Sequence, residues 1–176
     1  VKDVGINPTR SGILDVYRQM GANISIYPKS NGQGEPIADI LVKSSSLMAT
    51  TIEGDLIPRL IDEIPIIALA ASQAKGTTVI RDAKELKVKE SNRIDTVVNM
   101  LKALGADIKA TDDGMIIRGP KPLKGVAIQS SMDHRIALTC AVAGLLAEGQ
   151  TSILDGQWVD ISYPGFFETL ERLRLK

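Results

Sequence analysis

Three short segments carry residue types that could combine acid–base work with anion binding. Lys87-Val88-Lys89-Glu90-Ser91-Asn92-Arg93 leads into an apolar-periodic stretch from Ile94 to Leu104. Ser131-Met132-Asp133-His134-Arg135 leads into another, from Ile136 to Ala147. Arg59-Leu60-Ile61-Asp62-Glu63-Ile64-Pro65 opens a third apolar run that reaches Ala74. The polar residues in each stand where a helix begins. Ser91 or Asn92 can cap the first helix and Asp133 the second. Unpaired N–H groups and the helix dipole favour an anion at such a place.

Taken singly, each segment has an ordinary explanation. Lys89, Glu90 and Arg93 fit a solvated charged cap. Asp62 and Glu63 are the acidic residues that a first turn prefers. A lone histidine such as His134 is more often structural than catalytic. Arg135 is harder to dismiss, because a cation in the first turn opposes the dipole and stability alone does not put it there. Together the segments offer Arg93, Arg135, Lys89, His134 and the acids Asp62 and Glu90. Such a set can grip carboxylate and phosphate groups while moving protons.

The elements that must position these groups repeat. A helix from Ser11 to Met20 is followed by Gly21-Ala22-Asn23-Ile24 and a strand. A helix from Ile94 to Leu104 is followed by Gly105-Ala106-Asp107-Ile108 and a strand. Both glycines fall where a left-handed C-cap is wanted. Further strands follow at Ile37–Lys43 and Gly114–Arg118, the latter after an Asp112-Asp113-Gly114 hairpin turn. A second pattern alternates with the first. The Pro58 to Ala74 run ends at Lys75-Gly76 before Thr77–Asp82, and the Ile136 to Ala147 run ends at Glu148-Gly149 before Thr151–Asp155. Gly76 matches Gly149, Ile80 matches Ile153 and Asp82 matches Asp155. The unit is β-α-β-α-β-β, present twice with part of a third, whose helix runs from Tyr163 to Leu173. Pro65 would kink a helix running from Pro58, so a start near Glu63 with Pro65 in the first turn is the alternative. The Ser-, Asn- and Gly-rich connection Pro28 to Pro36 is the expected flexible surface loop.

Bulk properties fit this pattern. The 176 residues form one α/β (α+β) domain, 1–176, with no internal linker. Hydrophobic residues are 44% and aromatics only 3%, so small aliphatic side chains fill the core. Lys and Arg balance Asp and Glu at zero formal charge, which argues against general nucleic-acid binding. No apolar stretch has membrane-spanning length, so no membrane partner is expected. The single cysteine, Cys140, lies in an apolar run and reads as a buried thiol in a reducing, cytosolic setting. One cysteine and one histidine make a zinc site improbable. The start, Val-Lys-Asp-Val-Gly-Ile-Asn-Pro, has no signal-peptide layout and reads as a cut within a longer chain.

The same segments resemble the signatures of the 5-enolpyruvylshikimate-3-phosphate synthase family. The resemblance rests on Pro58 to Pro65, Lys87 to Ile94 and Asp133-His134-Arg135-Ile136-Ala137. Gly5-Ile6-Asn7-Pro8-Thr9-Arg10-Ser11-Gly12, Met20-Gly21-Ala22 and Ser162-Tyr163-Pro164 extend it across essentially the whole chain. It implies an enolpyruvyl transferase-like fold of β-α-β-α-β-β units around a pseudo-threefold axis, and the carboxy-terminal half of a two-domain enzyme. The implied reaction moves the enolpyruvyl group of phosphoenolpyruvate to the 5-hydroxyl of shikimate 3-phosphate and releases phosphate, in the shikimate pathway. It needs no metal and no organic cofactor.

The resemblance also assigns roles. Asp62 would meet the shikimate hydroxyls and take the 5-hydroxyl proton. Glu90 would give a proton to the methylene carbon. Arg93 and Arg135 would hold the phosphoenolpyruvate carboxylate, a bidentate task that suits arginine. Lys89 would contact shikimate 3-phosphate, and His134 would neighbour the departing phosphate. The chain departs from many members in having Ser91-Asn92 where they have Thr-Asp. Ile161 stands where some carry a phosphoenolpyruvate-contacting lysine, which bears on tolerance of the inhibitor glyphosate. The phosphate loop and serine-serine-glutamine run of the family's amino-terminal domain do not occur here, so that domain is an expected partner. The isolated domain would be inactive alone. Two other readings remain: a non-catalytic anion-binding module of this fold, and the relative that acts on UDP-N-acetylglucosamine.

Overall fold

The computed structural model describes residues 1–29 and 34–174. Among them, nine strands form three sheets, interleaved with five α-helices. Strands β4 (Thr51–Ile52), β5 (Gly76–Ile80), β6 (Asp107–Ala110) and β7 (Met115–Gly119), with helices α2 (Ile64–Gln73) and α3 (Arg93–Ala103), make one complete β-α-β-α-β-β unit. Its sheet runs β4-β5-β7-β6, with β4 parallel to β5 and the other pairs antiparallel. A helical crossover such as α2 is what a parallel pair requires.

Two partial units flank this one. Strands β1 (Val4–Gly5), β2 (Asn23–Lys29) and β3 (Ile37–Lys43), with α1 (Gly12–Gln19), form an antiparallel sheet in the order β1-β3-β2. That order reproduces β5-β7-β6. Strands β8 (Ala127–Ile128) and β9 (Ser152–Ile153) pair in parallel around α4 (His134–Gly144), reproducing β4-α2-β5. Helix α5 (Phe166–Arg174) follows. The expected count of two whole units and part of a third is therefore corrected. The described residues hold one whole unit between two partial ones, because the two matched patterns belong to different parts of the unit.

Local chemistry explains most boundaries. Helices α1 and α3 end alike. Gly21 (φ 81°) and Gly105 (φ 96°) turn left-handed, and their N–H groups reach Arg18 and Lys102 carbonyls at 2.9 Å. The next residues, Ala22 and Ala106, reach back to Tyr17 and Leu101 at 2.8 and 2.9 Å. These paired bonds satisfy carbonyls that a helix end would otherwise leave open. The β6–β7 hairpin turns through residues 111–114, with Ala110 opposite Met115. The Pro58 to Ala74 run is not one helix. Gly54–Arg59 and Ile61–Glu63 are 3₁₀ turns, and α2 starts at Ile64 with Pro65 in its first turn. Pro65 lacks an N–H, which costs nothing there and would break a longer helix. Helix α4 begins two residues earlier than its apolar run, directly after Asp133. Helix α5 begins at Phe166, because Gly165 (φ 75°) precedes it in a left-handed turn. The flexible loop expected at Pro28 to Pro36 starts later than expected, since Pro28 and Lys29 belong to β2, and its residues 30–33 lie outside the described residues.

One core joins the units. Val16, Met20, Ile52, Ile64, Ile67, Ile80, Ile94, Leu101, Leu104, Met115, Ile117, Ile136 and Cys140 belong to a single buried cluster. Helix α2 is apolar on nearly every side and packs against α3, α4 and β7. It is the shared centre around which the polar helix starts are gathered. Burial pushes the Tyr17 hydroxyl and the Cys140 thiol up to about 12 each, so the thiol is inert at neutral pH. Among the described residues, no helix is long and apolar enough to cross a membrane.

The β6–β7 turn has no room for a side chain where it passes the end of β5. A Cβ on Gly114 would lie 2.0 Å from the Ile80 carbonyl oxygen. Gly114→Ala is therefore expected to destabilise the domain by about 1–3 kcal/mol. A fall in the urea midpoint with an unchanged slope would show it; a midpoint equal to wild type would refute the tight approach.

Candidate functional site

The centre of the site is a guanidinium that never reaches solvent. Arg93 is the first residue of α3 and is 0% exposed. Burying such a charge is costly unless every N–H is matched by an acceptor. Here Nε donates to Asp133 Oδ2 at 2.8 Å and Nη2 to Asp133 Oδ1 at 3.4 Å. Nη1 donates to Asp62 Oδ1 at 3.1 Å, and Nη2 also meets Glu90 Oε2. One arginine thus ties together the starts of three helices, those of α2, α3 and α4.

Asp133 is the matching anion, also 0% exposed. Its side chain caps α4 by accepting the Arg135 N–H at 3.0 Å. Oδ2 further accepts the Ser91 hydroxyl at 2.9 Å. Ser91 is therefore not the α3 cap; Asn92 takes that place, accepting the Asp95 N–H at 3.4 Å. Burial works against charge on both partners of the pair. For Arg93 the hydrogen bonds and field of Asp133, then Glu90 and Asp62, outweigh burial and hold the guanidinium above its ordinary value. For Asp133, Arg93 with Ser91 and the Arg135 N–H outweighs burial and holds the carboxyl below its ordinary value.

Outward from this pair the groups become accessible. Asp62 lies in the 3₁₀ turn Ile61–Glu63 ahead of α2. Arg135 Nη2 approaches its Oδ2 at 3.3 Å and Nη1 its backbone carbonyl at 3.4 Å. Arg10, from the loop before α1, reaches the same Oδ2 at 3.5 Å and Glu63 Oε1 at 3.9 Å. The other Glu63 oxygen is buried and has no hydrogen-bond partner among the described residues. Glu90 is about half exposed beside Arg93. The cluster is a wall of alternating guanidinia and carboxylates, open on the side of Asp62, Glu90, Arg135 and Arg10. It can orient an anion by exchanging a carboxylate for it, and its acids can take or give protons.

Of the residues expected from the sequence, Asp62, Glu90, Arg93 and Arg135 come together. Lys89 is next to the cluster but pairs with Glu85 on the 3₁₀ turn Lys84–Val88. His134 opens α4 half-buried, and among the described residues its side chain forms no hydrogen bond or ion pair. Ile161 is exposed at the end of the 3₁₀ turn Gly156–Ile161. Sequence reasoning missed two members. Asp133 is legible in the sequence as a cap and as part of the Asp-His-Arg motif, but not as the counter-charge that a buried cation one helix away needs. Arg10 was read only as part of a motif, and its distance in sequence from Asp62 gave no signal.

Similarity to known proteins covers nearly all of the chain. A family model described as EPSP synthase (3-phosphoshikimate 1-carboxyvinyltransferase) matches residues 1–170. A 3-phosphoshikimate 1-carboxyvinyltransferase of Alkaliphilus oremlandii is 58% identical over 173 residues, 98% of this chain and 40% of the relative. One from Bacillus cereus is also 58% identical over the same share. The solved EPSP synthase of Acinetobacter baumannii matches with a TM-score of 0.93 at 41% identity, over 98% of this chain and 40% of that one. The enolpyruvyl transferase NikO of Streptomyces tendae, at 21% identity and a TM-score of 0.69 over 93% of this chain and 35% of that one, shares the fold. The chain spans about 40% of the length of the curated relatives it matches.

The buried pair makes a stability prediction with a definite sign. Asp133 has its folded value below the ordinary carboxylate value of about 3.9. Its stabilising contribution is then fully present above that value and is lost as pH falls through the lower folded one. Asp133→Asn would leave the Arg93 charge without its main partner and cost about 3–5 kcal/mol at neutral pH. Urea unfolding between pH 7 and pH 2 should show a smaller acid-induced loss in this variant than in wild type. Parallel curves would rule out Asp133 as the titrating group.

Proposed function

Because the chain belongs to the EPSP synthase family, whose model matches residues 1–170, we propose that it forms the carboxy-terminal part of a two-domain enolpyruvyl transferase. In that enzyme the enolpyruvyl group of phosphoenolpyruvate passes to the 5-hydroxyl of shikimate 3-phosphate. The observation that carries this reading is the meeting of Asp62 and Glu90 on the buried Arg93 guanidinium, with Arg135 paired to the same Asp62. The remaining ligand groups would come from an amino-terminal domain, in keeping with the chain's 40% share of its relatives' length. The cytoplasm is the compartment that suits a lone buried thiol.

The geometry supports a division of labour. Arg135 lies at the open side, about one-third exposed, and can turn its fork from Asp62 toward the phosphoenolpyruvate carboxylate. The same carboxylate can take over the Nη2 edge of Arg93 from Glu90. Glu90 is then released to face the methylene carbon. Asp62, relieved of Arg135, accepts the proton of the 5-hydroxyl as its oxygen attacks the central carbon. Glu90 supplies the proton that the methylene carbon takes up, giving a tetrahedral intermediate. The methyl group then returns a proton to Glu90, phosphate leaves with the proton held by Asp62, and the enol ether product forms. Lys89, freed from Glu85, would meet the phosphate of shikimate 3-phosphate, and His134 the departing phosphate.

Kinetics of the full two-domain enzyme test these roles. Glu90→Gln keeps the size but cannot give a proton, so kcat should fall by about a hundred- to ten-thousandfold. Arg135→Ala removes a contact to a group charged in ground and transition state alike, so it should raise KM for phosphoenolpyruvate by about tenfold or more with a smaller change in kcat. The 176-residue chain alone should show no turnover. Robust turnover by this chain, or an unaltered kcat in Glu90→Gln, would overturn the reading.

A further inference from the structure

The turn that delivers His134 and Arg135 is held from a distance. Ser131 and Met132 stand one after the other in left-handed backbone, at φ 58° and 60°. Residues with a Cβ keep that conformation only where the surroundings over-determine it. The group that does so is Asp155, two residues beyond β9 and only 8% exposed. Its Oδ1 accepts the Ser130 N–H at 2.6 Å, and its Oδ2 the Met132 N–H at 3.3 Å. The Asp133 N–H then closes onto the Ser130 carbonyl at 3.2 Å. One carboxylate spans the turn whose next residues are Asp133, His134 and Arg135.

The internal repeat contains this device twice. Strands β4 and β8 end at Ile52 and Ile128, and two residues further on lie Gly54 and Ser130. Strands β5 and β9 end at Ile80 and Ile153, and two residues further on lie Asp82 and Asp155. The Gly54 N–H donates to Asp82 Oδ2 at 3.0 Å, as the Ser130 N–H does to Asp155. In the first copy the left-handed residue of the clamped turn is Gly54, at φ 59°, the clamping Asp82 stands at φ 61°, and the clamp is exposed and single. In the second copy the left-handed turn falls on residues that resist it, and the clamp is buried and doubled. The matched pair Asp82 and Asp155 in the sequence is the trace of this shared device.

We propose that Asp155 is a positioning residue for phosphoenolpyruvate binding, fixing the Arg135 guanidinium through the Ser130–Asp133 turn without touching the ligand. The proposal rests on the functional reading above, in which Arg135 holds the substrate carboxylate. Burial opposes charge on Asp155, but the Ser130 and Met132 N–H groups outweigh it and hold the carboxyl below its ordinary value, so the clamp stays anionic. Asp82 has no such part in Arg135 placement, because its turn leads toward Asp62.

Two readouts on the full two-domain enzyme separate the clamp from the reaction. Amide hydrogen exchange reads the turn without turnover. In Asp155→Asn the Met132 and Arg135 amides should exchange about tenfold faster or more, while Val97 and Val98 in α3 stay unchanged. Steady-state kinetics should show KM for phosphoenolpyruvate raised about tenfold and KM for shikimate 3-phosphate changed by less than about twofold. Unchanged Arg135 exchange would overturn the clamp, and an equal rise in both KM values would reduce Asp155 to a general structural role. If Asp155→Asn fails to fold, Asp155→Asn combined with Ser131→Gly and Met132→Gly removes the left-handed penalty and should fold. Its KM for phosphoenolpyruvate should return toward wild type; failure of this variant to fold, or a KM still raised about tenfold, overturns the strain-holding account. Absence of turnover in the wild-type enzyme would count against the functional reading, and the exchange data would still decide the clamp.

Discussion

The fold and the site depend on one ion pair. Arg93 and Asp133 are both fully buried, and neither could be there alone. Hydrophobic packing of α2, α3 and α4 brings three helix starts close together, but it does not choose their register. The pair does, since Arg93 must find Asp133, Asp62 and Glu90 at once. A buried pair of this kind adds little net stability over a well-packed apolar alternative. Its effect here is to make one arrangement of the helix starts far better than its neighbours.

Much of the fold was legible because its cues are local. The left-handed glycines at 21 and 105, the hairpin at 111–114 and strand β3 follow from a few adjacent residues each. Residues 54–63 were harder. Pro58, Pro65 and the apolar residues around them leave open a kinked helix from Pro58 or a start near Glu63, and the chain takes the later start, with two 3₁₀ turns before α2 at Ile64. The count of repeat units also needed the strand pairing, because a matched segment does not say to which half of a unit it belongs.

The site was legible as a set of polar helix starts and illegible as a network. Periodicity treats arginine as a surface residue, so the burial of Arg93 had no sequence signature. Asp133 satisfied a cap requirement, which hid its larger role as a counter-ion. Arg10 and Asp62 meet across 51 intervening residues, a closure that only the packed units specify. Asp82 and Asp155 were visible as a match between repeats, but their purpose appears only with the backbone N–H groups they receive.

The alternation of guanidinia and carboxylates has a consequence for selectivity. Arg10, Arg93 and Arg135 already face Asp62, Glu63, Glu90 and Asp133, so the wall carries no surplus positive charge of its own. An incoming anion therefore gains little from long-range attraction and must win an exchange against a carboxylate already in place. Exchange favours a ligand whose oxygens match the spacing of a guanidinium fork and penalises a diffuse or singly coordinating anion. Discrimination then lies in geometry rather than charge, and simple salts should be poor competitors at this surface.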